Sequence, residues 1–470
     1  MRGHTEMKKV KHLKMKAARA AARELMSLLA LGSDRNLLRI MKIAERIPLA
    51  REHRDQVRWL LGLFEAGHPA TRLATRILRQ AHPNYRRGLV MDLFVNATWL
   101  GDAKRREVQK RDGFYPPFLV VISPTMRCNL HCSGCYAGNY TTDEDLAFEE
   151  VDRIITEAKE MGTYFVTISG GEPLVYPGLL DLFEKHRDVA FQFYTNGTLI
   201  NEEVADRLVE MGNATPAISV EGFEEQTDAR RGHGAWLRIM RAMDLLRERG
   251  AIFAFSGTVT RHNVDVIASD AFVDLMIQKG CYFGWYFTYL PIGRAPSLDL
   301  MPTPQQRDLL RQRVLEFRRT KPIFIGDFWN DGHLTGGCIA GGRIYFHINH
   351  RGDIEPCVFA HFAVDNIRGK SLKEALASPF FKAIQARQPF NENPLLPCML
   401  IDNPSILREV VAETGAHPTH EGAETLITEF APALDDYARD YGRLAAEAWR
   451  TGYGHAKGES LVAARGSRQR

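Results

Sequence analysis

Between residues 118 and 319 a short, apolar, β-rich run is followed six times by an amphipathic segment long enough for a helix. The runs cover 118–123, 164–169, 190–195, 216–220, 251–259 and 282–290, and the helical segments 144–161, 177–187, 201–212, 224–249, 264–279 and 303–319. Strand–helix units in unbroken succession imply a parallel sheet with helices outside it. Six units are two short of a closed eight-fold barrel. An α/β fold with an open, partial (β/α)6 TIM barrel is therefore expected, its functional groups at the C-terminal ends of the strands.

The flanks read differently. Residues 1–113 carry helical periodicity only, in NLLRIMKIAERI and QVRWLLGLFEAG, with prolines as punctuation. The expected order is a basic helical region at 1–113, the barrel at 114–320 and a small α+β unit at 321–410. A C-terminal helix and tail at 411–470 complete the chain. In the third unit GRIYFHIN and GDIEPCVF are predicted to pair as a hairpin.

Charge divides the chain along the same line. Residues 1–115 hold 25 Lys/Arg against 11 Asp/Glu, and the remainder 36 against 46. The basic segment could meet an anionic membrane surface, or dock on the acidic remainder of the same chain. LMSLLALG is interrupted upstream by Arg19, Arg23 and Glu24 and lacks a cleavage site, so no export signal is read. No run of eighteen apolar residues occurs to span a membrane. A cytoplasmic location is expected, with peripheral contact at the inner membrane surface as the alternative.

Cysteine placement carries the chemistry. Cys128, Cys132 and Cys135 lie in CNLHCSGC, directly after the first strand. Such a loop offers three corners to a [4Fe–4S] cube and leaves one iron open, or three ligands to a zinc whose local fourth would be His131. Spacing by itself serves both about equally. Cys281, inside strand six, reads as core packing.

The elements after the second strand change that balance. With Tyr136 following the third cysteine and Gly170-Gly171-Glu172-Pro173 closing strand two, the sequence resembles the radical S-adenosylmethionine (SAM) superfamily over about 115–300. Thr195-Asn196-Gly197, Ser219-Val-Glu221-Gly222 and Pro291-Ile-Gly293 fall after strands three, four and six, where that family has polar or Gly-bearing ends. The resemblance implies that Cys128, Cys132 and Cys135 hold a [4Fe–4S] cluster whose open iron chelates SAM. Reductive cleavage would then give a 5′-deoxyadenosyl radical that abstracts hydrogen from a substrate. Gly170 and Gly171 would let the backbone approach the methionine amino group. Tyr136, Glu172, Pro173, Asn196, Ser219, Glu221 and Arg231 would complete the SAM site, Glu172 either accepting from the ammonium or orienting the loop.

Cys338, Cys357 and Cys398 resemble the auxiliary-cluster domain of the SPASM and twitch subfamilies and imply a second iron–sulfur cluster. The further cysteine usual near the last one is absent, so either Asp402, solvent or substrate closes the site, or no auxiliary cluster forms. Asp327 and Asp331 in GDFWNDG are the candidate catalytic groups for deprotonating a substrate radical; ordinary turn chemistry is the alternative.

The activity this implies is that of an oxidoreductase acting as a peptide or protein maturase or dehydrogenase, reduced by a flavodoxin- or ferredoxin-type donor. The competing readings are modification of a membrane-associated lipid or phosphorylated metabolite, and a non-enzymatic iron–sulfur carrier or sensor. Neither a winged-helix peptide-binding module nor a cobalamin domain is expected in the helical N-terminal region, and no nucleic-acid partner is expected.

Overall fold

The computed structural model describes residues 51–137 and 144–453. The amphipathic basic stretch expected to meet a membrane lies in residues 1–50, outside the described residues, as does the extreme C-terminal tail. Among the described residues no helix is long and apolar enough to cross a membrane.

Helices α1 (Arg51–Glu65), α2 (Pro69–Gln80) and α3 (Pro83–Gly88) run into a π-helical stretch, Leu89–Leu100, and then α4 (Gly101–Asp112). Proline opens α2 and α3, where its missing N–H costs nothing. The Nδ1 atoms of His68 and His82 cap them by accepting from Ala70 N and Asn84 N.

These helices cover the end of the barrel at which its strands begin. The strands are β1 (Leu119–Ile122), β2 (Phe165–Ile168), β3 (Ala190–Thr195), β4 (Ala214–Ser219), β5 (Ala254–Val259) and β6 (Phe283–Thr288). They alternate with α5 (Phe148–Met161), α6 (Leu179–Lys185), α7 (Glu202–Met211), α8 (Glu224–Arg231), α9 (Ala235–Glu248), α10 (Val264–Ile267) and α11 (Asp270–Gln278). The 17-residue α12 (Pro304–Thr320) follows β6. The segment expected as one helix over 224–249 is two. Gly232 and Gly234, both at positive φ, break it.

The excess of basic residues before 115 has a structural counterpart. Lys104 donates to Lys159 O (2.7 Å), Arg105 to Gly162 O (2.6 Å), Arg87 to Met211 O (3.1 Å) and Arg76 to Ile277 O (3.3 Å). Those carbonyls end α5, α7 and α11. Helix C-termini carry unpaired carbonyls and partial negative charge, so docked cations satisfy both. The basic helices thus bind their own chain, through backbone carbonyls more than through acidic side chains. Arg105 is buried and also donates to Ala97 O (3.2 Å). Arg105→Ala is expected to lower unfolding free energy by about 3 kcal/mol, read from a denaturant titration, because two buried carbonyls lose a charged partner.

Six strand–helix units are present where the sequence places them, and the sheet continues past them. β7 (Phe324–Asp327) adds parallel to β6. The predicted hairpin forms from β8 (His347–Ile348) and β9 (Ile354–Glu355), and β8 also pairs in parallel with β1. The nine-stranded sheet therefore runs β7-β6-β5-β4-β3-β2-β1-β8-β9 and stays open. Residues beyond 320 supply three of its strands. A small antiparallel pair, β10 (Phe362–Ala363) with β11 (His417–Pro418), and helices α13 (Gly332–Thr335), α14 (Leu372–Leu376), α15 (Pro379–Ala386), α16 (Pro404–Thr414) and α17 (Ala431–Ala448) complete the C-terminal part.

Two apolar layers hold this together. One lies between the sheet and its outer helices and includes Cys281, which is fully buried as expected. The other joins the barrel interior to the C-terminal helices through Trp329, Tyr345, Phe362 and Leu434.

Candidate active site

The cysteine loop leaves β1 and is fixed from several sides by backbone. Gly171 N donates to Thr125 O (3.1 Å) and Glu172 N to Arg127 O (2.8 Å), so the Gly170–Pro173 element is laced to the start of the loop. A Cβ on Gly170 would overlap Thr125 O, and one on Gly171 would lie 2.5 Å from Met126 O. The two glycines thus make room for the cysteine loop itself. Both glycines also stand in the wall of the adjoining cavity. The loop after β6 closes the other side: Arg294 N donates to Cys135 O (2.8 Å), and a Cβ on Gly293 would overlap the backbone of Cys135 and Tyr136.

Several predicted SAM-site residues prove to hold this loop. Glu172 is fully buried and accepts from Thr195 Oγ1 (2.8 Å), Asn196 N (2.7 Å) and Leu174 N (3.0 Å). Of its two expected roles, loop orientation is the one its partners support. Burial raises its pKa against these hydrogen bonds. Pro173 begins the short 3-10 turn beside it. Asn196 Nδ2 donates to Asn129 Oδ1 (2.8 Å) and lies 3.8 Å from Cys128 Sγ. Tyr136 O–H shares a 2.6 Å hydrogen bond with Ser169 and reaches Gly170 O (3.2 Å).

Glu221 and Arg231 are partners of each other. The Glu221 carboxylate, fully buried, accepts from Arg231 (2.5 Å), Arg230 (2.7 Å) and Thr258 N (3.1 Å). Burial opposes its charge, but the two guanidiniums outweigh it and hold the carboxyl below its ordinary range. In this structure its carboxylate serves the two arginines and the backbone of the neighbouring strand. Arg230 Nη2 also donates to Gly134 O (3.2 Å), and Arg231 lies within electrostatic reach of Cys132 and Cys135. Ser219 stands in the wall of the adjoining cavity.

That cavity, of about 510 Å³, is lined by Cys128, Cys132 and Cys135 and also by Cys338, Cys357 and Cys398. The topology brings the two sets together because β8 and β9, which lead to Cys357, continue the sheet from β1. Among the described residues no three His, Cys, Asp or Glu side chains gather closely enough to hold one metal ion. The donor set suits a larger group: three half-buried thiols in the first set, and two half-buried thiols with the buried Cys357 in the second, in an apolar wall. Burial pushes Cys338 up to about 12 and Cys398 well above the usual thiol range, so each stays neutral until a cationic centre binds. Tyr345 O–H lies 2.9 Å from Cys357 Sγ. Asp402, weighed as a fourth ligand, is held instead by Arg307 through Nη1–Oδ1 (2.5 Å) and Nη2–Oδ2 (3.2 Å), both side chains fully buried.

The two candidate acids are distinguished by their partners. Asp331 is bound by Arg318 through both oxygens (2.8 and 2.5 Å) and accepts from Asp327 N (2.8 Å). Both of its oxygens are thus engaged within the protein. Asp327, at the end of β7, is buried; Oδ2 accepts from Asn330 (2.6 Å) while Oδ1 has no hydrogen-bond partner. Burial, then the Asp331 charge, raise its pKa to about 6.

Sequence reasoning missed two features. Ser123, directly after β1, is 2.7 Å from His347 Nε2, and His347 Nδ1 is 2.6 Å from Glu355; this buried chain binds β1 to the hairpin. The residues are too far apart in sequence to have signalled it. The second is the aromatic wall from β6 and the loop after β7. Phe287 stacks on Phe328 (4.8 Å) and meets Trp329 (6.3 Å), while Phe359 joins Trp329 (5.2 Å) to Tyr136 (5.7 Å). The alternation in GWYFTY carried a signal, since Trp285 and Phe287 share one face.

Comparison with known proteins agrees with this geometry. A family model described as the Radical SAM superfamily matches residues 122–265, and one described as an iron-sulfur cluster-binding domain, SPASM, matches 338–399. The chain is 32% identical over 268 residues to the mycofactocin maturase MftC of Mycobacterium ulcerans (strain Agy99), across 54% of this chain and 71% of that one. It is 26% identical over 296 residues to an AdoMet-dependent heme synthase of Nitratidesulfovibrio vulgaris, across 54% and 77%. Among solved structures, Streptococcus suis SuiB bound to S-adenosylmethionine matches with a TM-score of 0.54 and 20% identity, over 63% of this chain and 75% of that one, which shows a shared fold.

Proposed function

The chain belongs to the radical SAM superfamily, with a [4Fe–4S] cluster and SAM as cofactors and further iron–sulfur in its SPASM domain, and from that membership we propose that it is a peptide maturase. It removes hydrogen from a side chain of a peptide. The observation that carries this reading is the single cavity lined by both cysteine sets and by Asp327. The similarity to a mycofactocin maturase, at 32% identity against 26% for the heme synthase, supports the maturase reading.

Cys128, Cys132 and Cys135 would hold the SAM-binding cluster, and Cys338, Cys357 and Cys398 the auxiliary one. Bound there, the cluster and SAM supply the means to take a hydrogen atom from an unactivated carbon. The chain's own residues do the rest. Glu172, Asn196 and the Glu221–Arg231 pair keep the cluster loop in place. The aromatic wall excludes water from the reacting side chain. Asp327 Oδ1, which has no hydrogen-bond partner of its own, would accept the proton lost from that residue, and the electron left behind would find its acceptor in an auxiliary cluster held by Cys338, Cys357 and Cys398.

Deuterium tracing tests the substrate class. Cells making the protein are grown in deuterated medium, and their extract is split into peptide and lipid fractions. Each is given to anaerobically reconstituted enzyme with dithionite and unlabelled SAM. Deuterium should enter 5′-deoxyadenosine from the peptide fraction; transfer from the lipid fraction alone would sink the proposal.

The acid–base role has its own signature. Asp327 must be ionised to accept a proton, so product formation should hold above about pH 6 and fall as the pH drops through that value. Asp327→Asn should cut modified product by about 10²–10⁴-fold while 5′-deoxyadenosine still forms.

A further inference from the structure

Along β6 and just past β7, three further buried polar atoms, on residues that line the cavity, lack a hydrogen-bond partner. They are the indole Nε1 atoms of Trp285 and Trp329 and the Thr288 hydroxyl. Leaving such groups unpaired costs about 1–3 kcal/mol each, so in folded proteins they generally have a partner. An indole N–H can only donate. The missing partner is therefore an acceptor.

Their placement is built, not incidental. Trp285 faces Gly326 across the β6–β7 ladder, and a Cβ on Gly326 would lie 2.5 Å from the indole Cζ3, so glycine there makes the space the ring fills. Trp285 then meets Phe328 at 5.3 Å, Phe328 stacks on Phe287, and Phe287 meets Trp329. The two indoles thus belong to an apolar aromatic surface, and Thr288 ends the strand that carries one of them. Asp327 is the charged side chain at this corner, and its unbonded Oδ1 would repel an anion. Of the other charged residues in the cavity wall, Arg230 and Arg231 bind Glu221, Asp331 binds Arg318, and Arg294, whose backbone N–H donates to Cys135 O, stands beside the cluster loop with its side chain engaged as well.

We propose that Trp285, Trp329 and Thr288 form a subsite for the uncharged backbone carbonyls of an apolar residue, whose side chain lies against Phe287 and Phe328. The subsite rests on the peptide reading above and narrows it. The residue held here is internal to its peptide, because a free C-terminal carboxylate would meet Asp327. A hydrocarbon chain would fill the aromatic surface but leave all three donors unpaired.

Three probes of one ring size separate these cases: N-acetylphenylalaninamide, N-acetylphenylalanine and n-propylbenzene. Their affinity for the reconstituted full chain with SAM is measured by equilibrium dialysis. The amide should bind more tightly than the carboxylate and the hydrocarbon. Trp329→Phe and Thr288→Val, which keep shape but remove a donor, should each raise the Kd of the amide by about five- to tenfold and leave n-propylbenzene unchanged. Gly326→Ala, which displaces Trp285, should weaken the amide similarly. Iron content and thermal midpoint report whether each variant folds. Equal binding of the hydrocarbon, preference for the carboxylate, or an amide Kd indifferent to all three substitutions would each overturn the subsite. If peptides donate deuterium but the amide binds indifferently, the subsite alone falls; if only lipids donate, the peptide reading falls with it.

Discussion

Replacing Cys132 with Ala is expected to reduce 5′-deoxyadenosine formation to the level of an enzyme-free control. The thiol is one of three on a loop that the backbone of Gly170–Glu172, Gly293 and Arg294 holds from two sides. No other described cysteine can replace it without unlacing those contacts. Iron content should fall by the complement of one cluster. The comparison that gives this weight is the triple substitution of Cys338, Cys357 and Cys398. It should also lose iron, yet still release 5′-deoxyadenosine, because it leaves the loop after β1 intact. Loss of SAM cleavage in both proteins, with both folded, would mean that the two cysteine sets serve one centre.

The second large effect is on stability. Arg307→Ala should lower unfolding free energy by about 3–5 kcal/mol, because it strands the buried charge of Asp402. The loss reaches further than one ion pair. Arg307 also donates to Trp329 O (2.9 Å) and Asn330 Oδ1 (3.1 Å), and its guanidinium lies 3.7 Å from the centre of the Tyr441 ring. Asp402 in turn accepts from Cys398 N (2.9 Å). The pair therefore ties α12, α17, the aromatic wall and an auxiliary cysteine together. Denaturant titration reads the stability, and iron analysis should show a selective loss at the auxiliary site. Replacing both residues with leucine should cost less than removing Arg307 alone, since no charge is then left unpaired.

Which features the sequence made legible follows from the range of the forces behind them. Strand–helix periodicity is local, and β1–β6 fall within a few residues of the apolar runs that predicted them. β7 escaped notice because FIGD is four residues long and its glycine and aspartate weaken an apolar pattern; Gly326 is there to admit Trp285, a reason that resides on another strand. The pairing of β8 with β1 joins residues more than 220 positions apart, with no periodic trace. At the site, the cysteines and Gly170–Pro173 stood out by spacing and residue type. What these residues touch did not. Gly170 and Gly171 were read as facing a ligand; that they also make room for carbonyls of the cysteine loop depends on a fold-level contact that spacing does not announce. Glu221 and Arg231 were read as separate ligand contacts, but opposite charges buried side by side neutralise each other first. Asp327 and Asp331, alike in sequence, differ because Arg318 reaches only one of them.

The pairing of β8 with β1 bears on how anything enters. A cleft between independently folded lobes admits cargo by opening, and its width at rest says little about what it accepts. Here the strands that carry the two cysteine groups share one backbone ladder, strengthened by the Ser123–His347–Glu355 chain. Widening the gap between them would mean tearing hydrogen bonds out of the interior of a sheet. The spacing between the loop after β1 and the hairpin is a property of the skeleton, set when the chain folds. The molecule gauges what it takes in with a fixed aperture.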